Sequence, residues 1–221
     1  SQDKNPLWQA SRTWDMVAVS INPKNTNQVA IGGSSLSSLS LIDRSNLLVT
    51  DTFSNHNSLL NKQSSGNSVF ISDLQNDDDG NLWVLNGFST NPLKLLSAEG
   101  EWYSFNIGPI ASNKLTKKML HDYNGNIWMS VLNSGLVGYN PGSSITSASD
   151  DKKIVLNSGD YTGALPSNNV TAIAMDFDEE LWIGTDNGFA ILYNSENAFD
   201  AAPGGYNAQR PKVDINGETD H

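Results

Sequence analysis

The chain has 221 residues, 38% of them hydrophobic, with six Trp, six Tyr and seven Phe, which is enough bulky apolar material for a sizeable core. Cysteine is absent, which excludes disulfides, Cys-ligated zinc and Cys nucleophiles. A net charge of −11 with only Arg12, Arg44 and Arg210 argues against nucleic-acid binding, because phosphate neutralisation needs a Lys/Arg surface.

No run approaches the ~18 consecutive apolar residues of a membrane span. Residues 1–20 lack a charged segment followed by an apolar one, so a signal peptide is not expected there. A cytosolic protein and a mature or trimmed envelope protein both fit.

In chain order, residues 1–15 read as a lead-in. The first unit has strands "MVAVSI" (16–21), "QVAIGG" (28–33), "SLSLID" (38–43) and "LLVTDTF" (47–53). The second has "SVFISDL" (68–74), "NLWVLN" (81–86), "PLKLLS" (92–97) and "EWYSFNI" (101–107). The third has "KKMLHD" (117–122), "NIWMSV" (126–131), "GLVGYN" (135–140) and "KKIVLNSG" (152–159). The fourth has "NVTAIAMD" (169–176), "LWIGT" (181–185) and "GFAILYN" (188–194), with no clear fourth strand. The runs are short, many alternate at period two, and Gly, Asn, Asp and Ser separate them. No dozen residues keep a helical period. Residues 197–221 are rich in Gly, Pro, Asn and Asp; they read as a long connection or the start of a further blade, with an edge strand at "PKVDI" or an exposed partner-binding loop.

The units share one signature, an acidic turn followed by a tryptophan among apolar residues: "NDDDGNLWVLN" (76–86), "DYNGNIWMS" (122–130) and "DFDEELWIGT" (176–185). Trp83, Trp128 and Trp182 stand 45 and 54 residues apart. The same step back from Trp83 reaches Val29, read as the tryptophan's replacement in the first unit. Four short antiparallel strands per roughly 40–50 residues is the arithmetic of a β-propeller blade. The expected fold is all-β, a propeller of about four blades (16–54, 68–107, 117–159 and 169–196) within a larger six- to eight-bladed ring. One blade cannot bury both faces, so the tryptophan rings are expected to fill the space between blades. The acidic turn is a hairpin, with Gly80 and Gly125 at positive φ.

Sharper readings of the same residues are weaker. A calcium loop at "QNDDDG" has Gln at its first ligand position and Asn86 where the closing Glu belongs, so Asp77, Asp78 and Asp79 read first as a turn. An Asp-box sialidase needs clustered arginines to grip a carboxylate, and three scattered ones do not supply them. His56, His121 and His221 lack partners at metal spacing, and His121 reads as a turn or inter-blade residue. There is no nucleophile elbow or Walker motif, and the glycines of "GGSS" (32–35) follow a strand without opening a helix. No catalytic residue, metal or cofactor is assigned. Trp8, Trp14 and Tyr206 are aromatics that could stack on sugars, although Trp14 heads the first strand and is expected to be packed.

The segment "LPSNNVTAIAMDFDEELWIGTDNGFAILYN" (165–194) resembles the two-component-regulator propeller repeat. Trp83 and Trp128 sit in copies without the Ile-Gly-Thr ending. With "VAVSINPKNTNQVAIGG" (17–33), "EWYSF" (101–105) and "LYNSENAF" (192–199), the order of pieces is similar to PorZ-like propeller subunits of the Bacteroidetes type IX secretion surface complex. That resemblance implies an envelope scaffold without catalysis of its own, at the outer-membrane surface or in the periplasm. It implies a sortase-like protein partner and an anionic lipopolysaccharide or glycan ligand, and that this chain is roughly half of one propeller. It assigns Trp83, Trp128, Trp182, Gly184 and Thr185 to blade structure, beside Gly80 and Gly125 of the turns. The alternative is the periplasmic, oligosaccharide-sensing propeller of a hybrid two-component regulator, which shares the repeat.

Overall fold

A computed structural model describes residues 15–35, 38–63, 66–211, 213–215 and 218–220; Trp8 and Trp14 lie outside them. Among the described residues every regular element is a strand, and no helix is long and apolar enough to cross a membrane. The chain forms two compact units, Ser1–Lys117 and Lys118–His221.

In the first unit, β1 (Met16–Ile21), β2 (Gln28–Ser35), β3 (Leu39–Asp43) and β4 (Leu48–Phe53) pair antiparallel in that order. A second antiparallel run follows in β5 (Val69–Asn76), β6 (Leu82–Gly87), β7 (Leu93–Leu96) and β8 (Trp102–Phe105). The "GGSS" run is the end of β2, where Ser34 and Ser35 pair with Phe70 and Val69 and join the two sheets. Alternation sends Ala30, Leu39 and Leu41 from one sheet, and Ile71, Leu82, Val84 and Leu96 from the other, into a shared core closed by Leu60. Gly32 lies in that seam, where a Cβ would stand 2.6 Å from Ile71 Cγ2.

The first hairpin corrects one expectation. Trp83 pairs with Gln75, and Trp182 with Ala174, each two residues before the aspartate that opens the turn. In the first hairpin Asn22 opens the turn, accepting at Oδ1 from the amides of Lys24 and Asn25, and Ser20 pairs with Ala30. The buried residue in the tryptophan register is therefore Ala30, not Val29. The longer first turn shifts the register, which a fixed step along the sequence cannot detect.

In the second unit, β9 (Thr116–His121, entering from the first unit), β10 (Ile127–Val131), β11 (Gly135–Asn140) and β12 (Lys152–Leu156) form a four-stranded sheet. Three strands, β13 (Val170–Met175), β14 (Leu181–Thr185) and β15 (Gly188–Leu192), form the next. Trp128, Leu136 and Leu156 of one pack with Val170, Leu181, Ile183 and Ala190 of the other. At the free edge of β15, Gln209 and Ile191 exchange backbone hydrogen bonds in a single bridge rather than a fourth strand. Ala198 and Ala208 reach this core, and Phe199 and Tyr206 pack against it, so Tyr206 is a packed side chain rather than an open stacking surface. The strand expected at "PKVDI" is β16 (Val213–Ile215), and it pairs with β17 (Glu218–Asp220), not with the edge of β15.

Candidate functional site

The three acidic turns share one hydrogen-bonded design. The opening aspartate faces back into its hairpin, and its Oδ1 accepts the amides two and four residues on. For Asp77 these are Asp79 and Asn81, for Asp122 Asn124 and Asn126, and for Asp176 Asp178 and Glu180. Its Oδ2 accepts the indole N–H six residues on, at 3.0 Å from Trp83, 2.9 Å from Trp128 and 2.7 Å from Trp182. Asn81 and Asn126 also donate their side-chain amides to that oxygen. The position between must be left-handed: Gly80 has φ +87°, Gly125 +80°, and Glu179 takes +63° in the third turn, which has no glycine.

Both oxygens of Asp77 are thus engaged by its own turn. Among the described residues no three His, Cys, Asp or Glu side chains gather as a metal-holding group. The Trp182 bond, ahead of the Glu180 amide, holds the Asp176 carboxyl below its ordinary range. Desolvation, and then the charges of Asp176 and Asp178, push the neighbouring Glu180 up.

The rings then diverge. Trp83 and Trp128 are 1% and 0% exposed; Trp83 stacks on Phe105, while Trp128 lies across Gly138, where a Cβ would stand 2.8 Å from its ring, and against Phe199. Trp182 is 39% exposed and stacks at 5.8 Å on Phe189, itself 42% exposed. Trp182, in the last unit, is therefore not covered as Trp83 and Trp128 are. Gly184 lies beside this pair, between Ala172 and Phe189 in the sheet. Thr185 closes the β14–β15 turn by donating from Oγ1 to the Gly188 carbonyl and accepting the Asn187 amide.

A second feature was not singled out from the sequence. Lys94, in the middle of the apolar strand β7, is 2% exposed. It stands between Val84 and Ser104 in the sheet, and its Nζ donates to Ser104 Oγ at 2.8 Å and Asn61 Oδ1 at 3.0 Å. Asn61 Oδ1 also accepts from Ser89, and its backbone is held by the buried Asn86 side chain. Lys94 faces a cavity of about 530 Å³. Burial lowers its pKa to about 8. The available signal was a lysine inside "PLKLLS", where every neighbour reads as core.

The family model described as "Two component regulator propeller" matches residues 164–187. Over 92% of the chain the fold superposes on PorZ, a surface component of the type-IX secretion system of Porphyromonas gingivalis, with a TM-score of 0.76 and 17% identity. The chain is a partial β-propeller. It is also similar to the extracellular domain of BT4673 of B. thetaiotaomicron, at TM-score 0.62 and 18% identity over 93% of the chain. A further likeness is to virginiamycin B lyase from Staphylococcus aureus, at 0.59 and 14% over 92% of the chain and 57% of the lyase. The chain spans 28% of the PorZ structure and 24% of the BT4673 domain. No curated protein matches it.

Proposed function

We propose that this chain is part of a non-catalytic scaffold propeller of the bacterial envelope, working in a type IX secretion surface complex beside a sortase-like partner. The observation that carries the reading is the PorZ likeness, at TM-score 0.76 over 92% of the chain, against 0.62 for the BT4673 domain over a similar span. The repeat positions Gly80, Gly125, Trp83, Trp128, Trp182, Gly184 and Thr185 serve the hairpins in this reading and leave ligand chemistry to other residues. An anionic lipopolysaccharide or glycan is the ligand class the scaffold would meet at the cell surface.

A second reading, a sensor propeller of a two-component regulator that recognises an oligosaccharide, has its own support in the family match at residues 164–187. Deleting the gene separates the two. A scaffold's loss blocks delivery of secreted cargo to the cell surface and leaves glycan-induced transcription intact. The reverse pattern would make the chain a sensor.

A further inference from the structure

The cavity at Lys94 differs in charge from the rest of the molecule. Asp and Glu outnumber Lys and Arg by 24 to 13 in this chain, yet the lining contains Lys94 and Lys62 and no acidic residue. The other lining groups are Asn61, Asn91, Asn113 and Thr90, which are amides and a hydroxyl, with Leu59 at the margin and Ser104 opposite Lys94.

An ammonium has three N–H protons. Lys94 spends two on Asn61 and Ser104, both neutral oxygens, and among the described residues it meets no carboxylate. Taking a charge out of water without a counter-charge is costly, which is why buried lysines are normally paired. Lys94 is thus a buried cation, set between Leu93 and Leu95 of the strand, whose hydrogen-bond partners carry no charge. The adjoining backbone adds a second observation. Phe88 and Asn113, whose segments hydrogen-bond to each other through Phe88 N to the Lys114 carbonyl, both hold left-handed φ, +58° and +57°, without being glycine. For Phe88 such a conformation costs energy, and backbone of this kind occurs at binding sites as well as in ordinary turns.

We propose that this cavity is an anion site: Lys94 supplies the counter-charge, and Lys62 and the surrounding amides supply donors, for the carboxylate or phosphate of a small polar ligand such as an acidic sugar. The volume, about 530 Å³, lies within the range of small-molecule sites. The polar, donor-rich walls suit hydroxyl groups on the rest of that ligand. The inference rests on unit-internal geometry and stands whether or not the scaffold reading does.

The test is calorimetric titration of the wild-type chain with glucuronate, glucose 6-phosphate and neutral glucose at low salt. Either anion should bind at least tenfold more tightly than glucose, and which anion wins tells a carboxylate site from a phosphate site. Lys94→Met should lose at least tenfold in that affinity, and Lys62→Gln a smaller factor. Affinity in the wild type should fall as the pH is raised through 8. Should Lys94→Met fail to fold, the Lys94 side-chain resonances of the wild-type protein still decide: they must move on adding the anion and stay still with glucose. Equal binding of glucose and both anions, or an unmoved Lys94 signal at saturation, overturns the site.

Discussion

Trp128 Nε1 donates to Asp122 Oδ2 at 2.9 Å, so one buried carboxylate fixes both the turn and the ring that fills the second unit's core. Asp122 accepts three further bonds, from Asn124 N, Asn126 N and Asn126 Nδ2. Asp122→Ala should therefore destabilise the chain by about 2–4 kcal/mol, since the buried indole N–H and two turn amides lose their acceptor together. Asp122→Asn should cost less, because the amide oxygen can still serve the turn while its NH₂ faces the indole donor. Urea unfolding measures both; a loss below about 1 kcal/mol for the alanine variant would show that the turn holds without its hub.

The tryptophans at the same repeat position should differ in energetic weight. Trp128 is fully buried, and removing its ring leaves a cavity above Gly138, so Trp128→Ala should cost about 3–5 kcal/mol. Trp182 is 39% exposed and should cost about 1 kcal/mol when replaced, mainly through Phe189 and the Asp176 bond. Equal losses in urea would mean that Trp182 is covered in solution.

Lys94 makes stability depend on alkaline pH. Its pKa is about 8 folded against 10.5 as a free side chain, so between those values the unfolded chain binds more protons and stability rises with pH. The penalty of the buried charge is fully present below pH 8 and relieved as pH climbs toward 10.5. Tyr139 works in the opposite sense. Burial and then its hydrogen bond to Asp151 push its phenol well above the ordinary 10.0, so stability declines once the unfolded phenol ionises. Denaturant midpoints should thus rise from pH 8 to just below 10, and Lys94→Met should flatten that rise. A wild-type curve without it would contradict the buried charge.

Asp176 sets an acid-side expectation. Its carboxyl is held below its ordinary value of 3.8, chiefly by the Trp182 indole. A lowered carboxylate contributes stability above that value and loses it as pH falls through the lower folded value. Asp176→Asn should remove this component, giving a shallower acid limb below pH 4 in denaturant midpoints. Identical acid limbs would show that the exposed Asp176–Trp182 bond does not persist in solution.

The turn-and-tryptophan hairpin was legible in the sequence because it is local. An aspartate, a left-handed position three residues on and an indole six residues on are brought together by one turn, so spacing alone places them. Alternation likewise marks strands, since a period of two puts Leu82 and Val84 on one face and Trp83 on the other whatever surrounds them. Even here composition hid part of the pattern: Glu179 does the work of Gly80 and Gly125 without being a glycine.

What the tertiary structure decided depends on partners far along the chain. Register in the first hairpin moved the buried position from Val29 to Ala30 because Asn22 caps a longer turn. Burial of Trp128 but not Trp182 was settled by whether another sheet face, such as that of Val170, Leu181 and Ile183, lies against it. Lys94 reads in sequence as a strand residue of either face; only the segment carrying Asn61, more than thirty residues away, turns its side chain into a buried cation beside a cavity. Short-range spacing determines hydrogen bonds that close within one hairpin, whereas burial and charge environment are properties of surfaces that the chain assembles from distant parts.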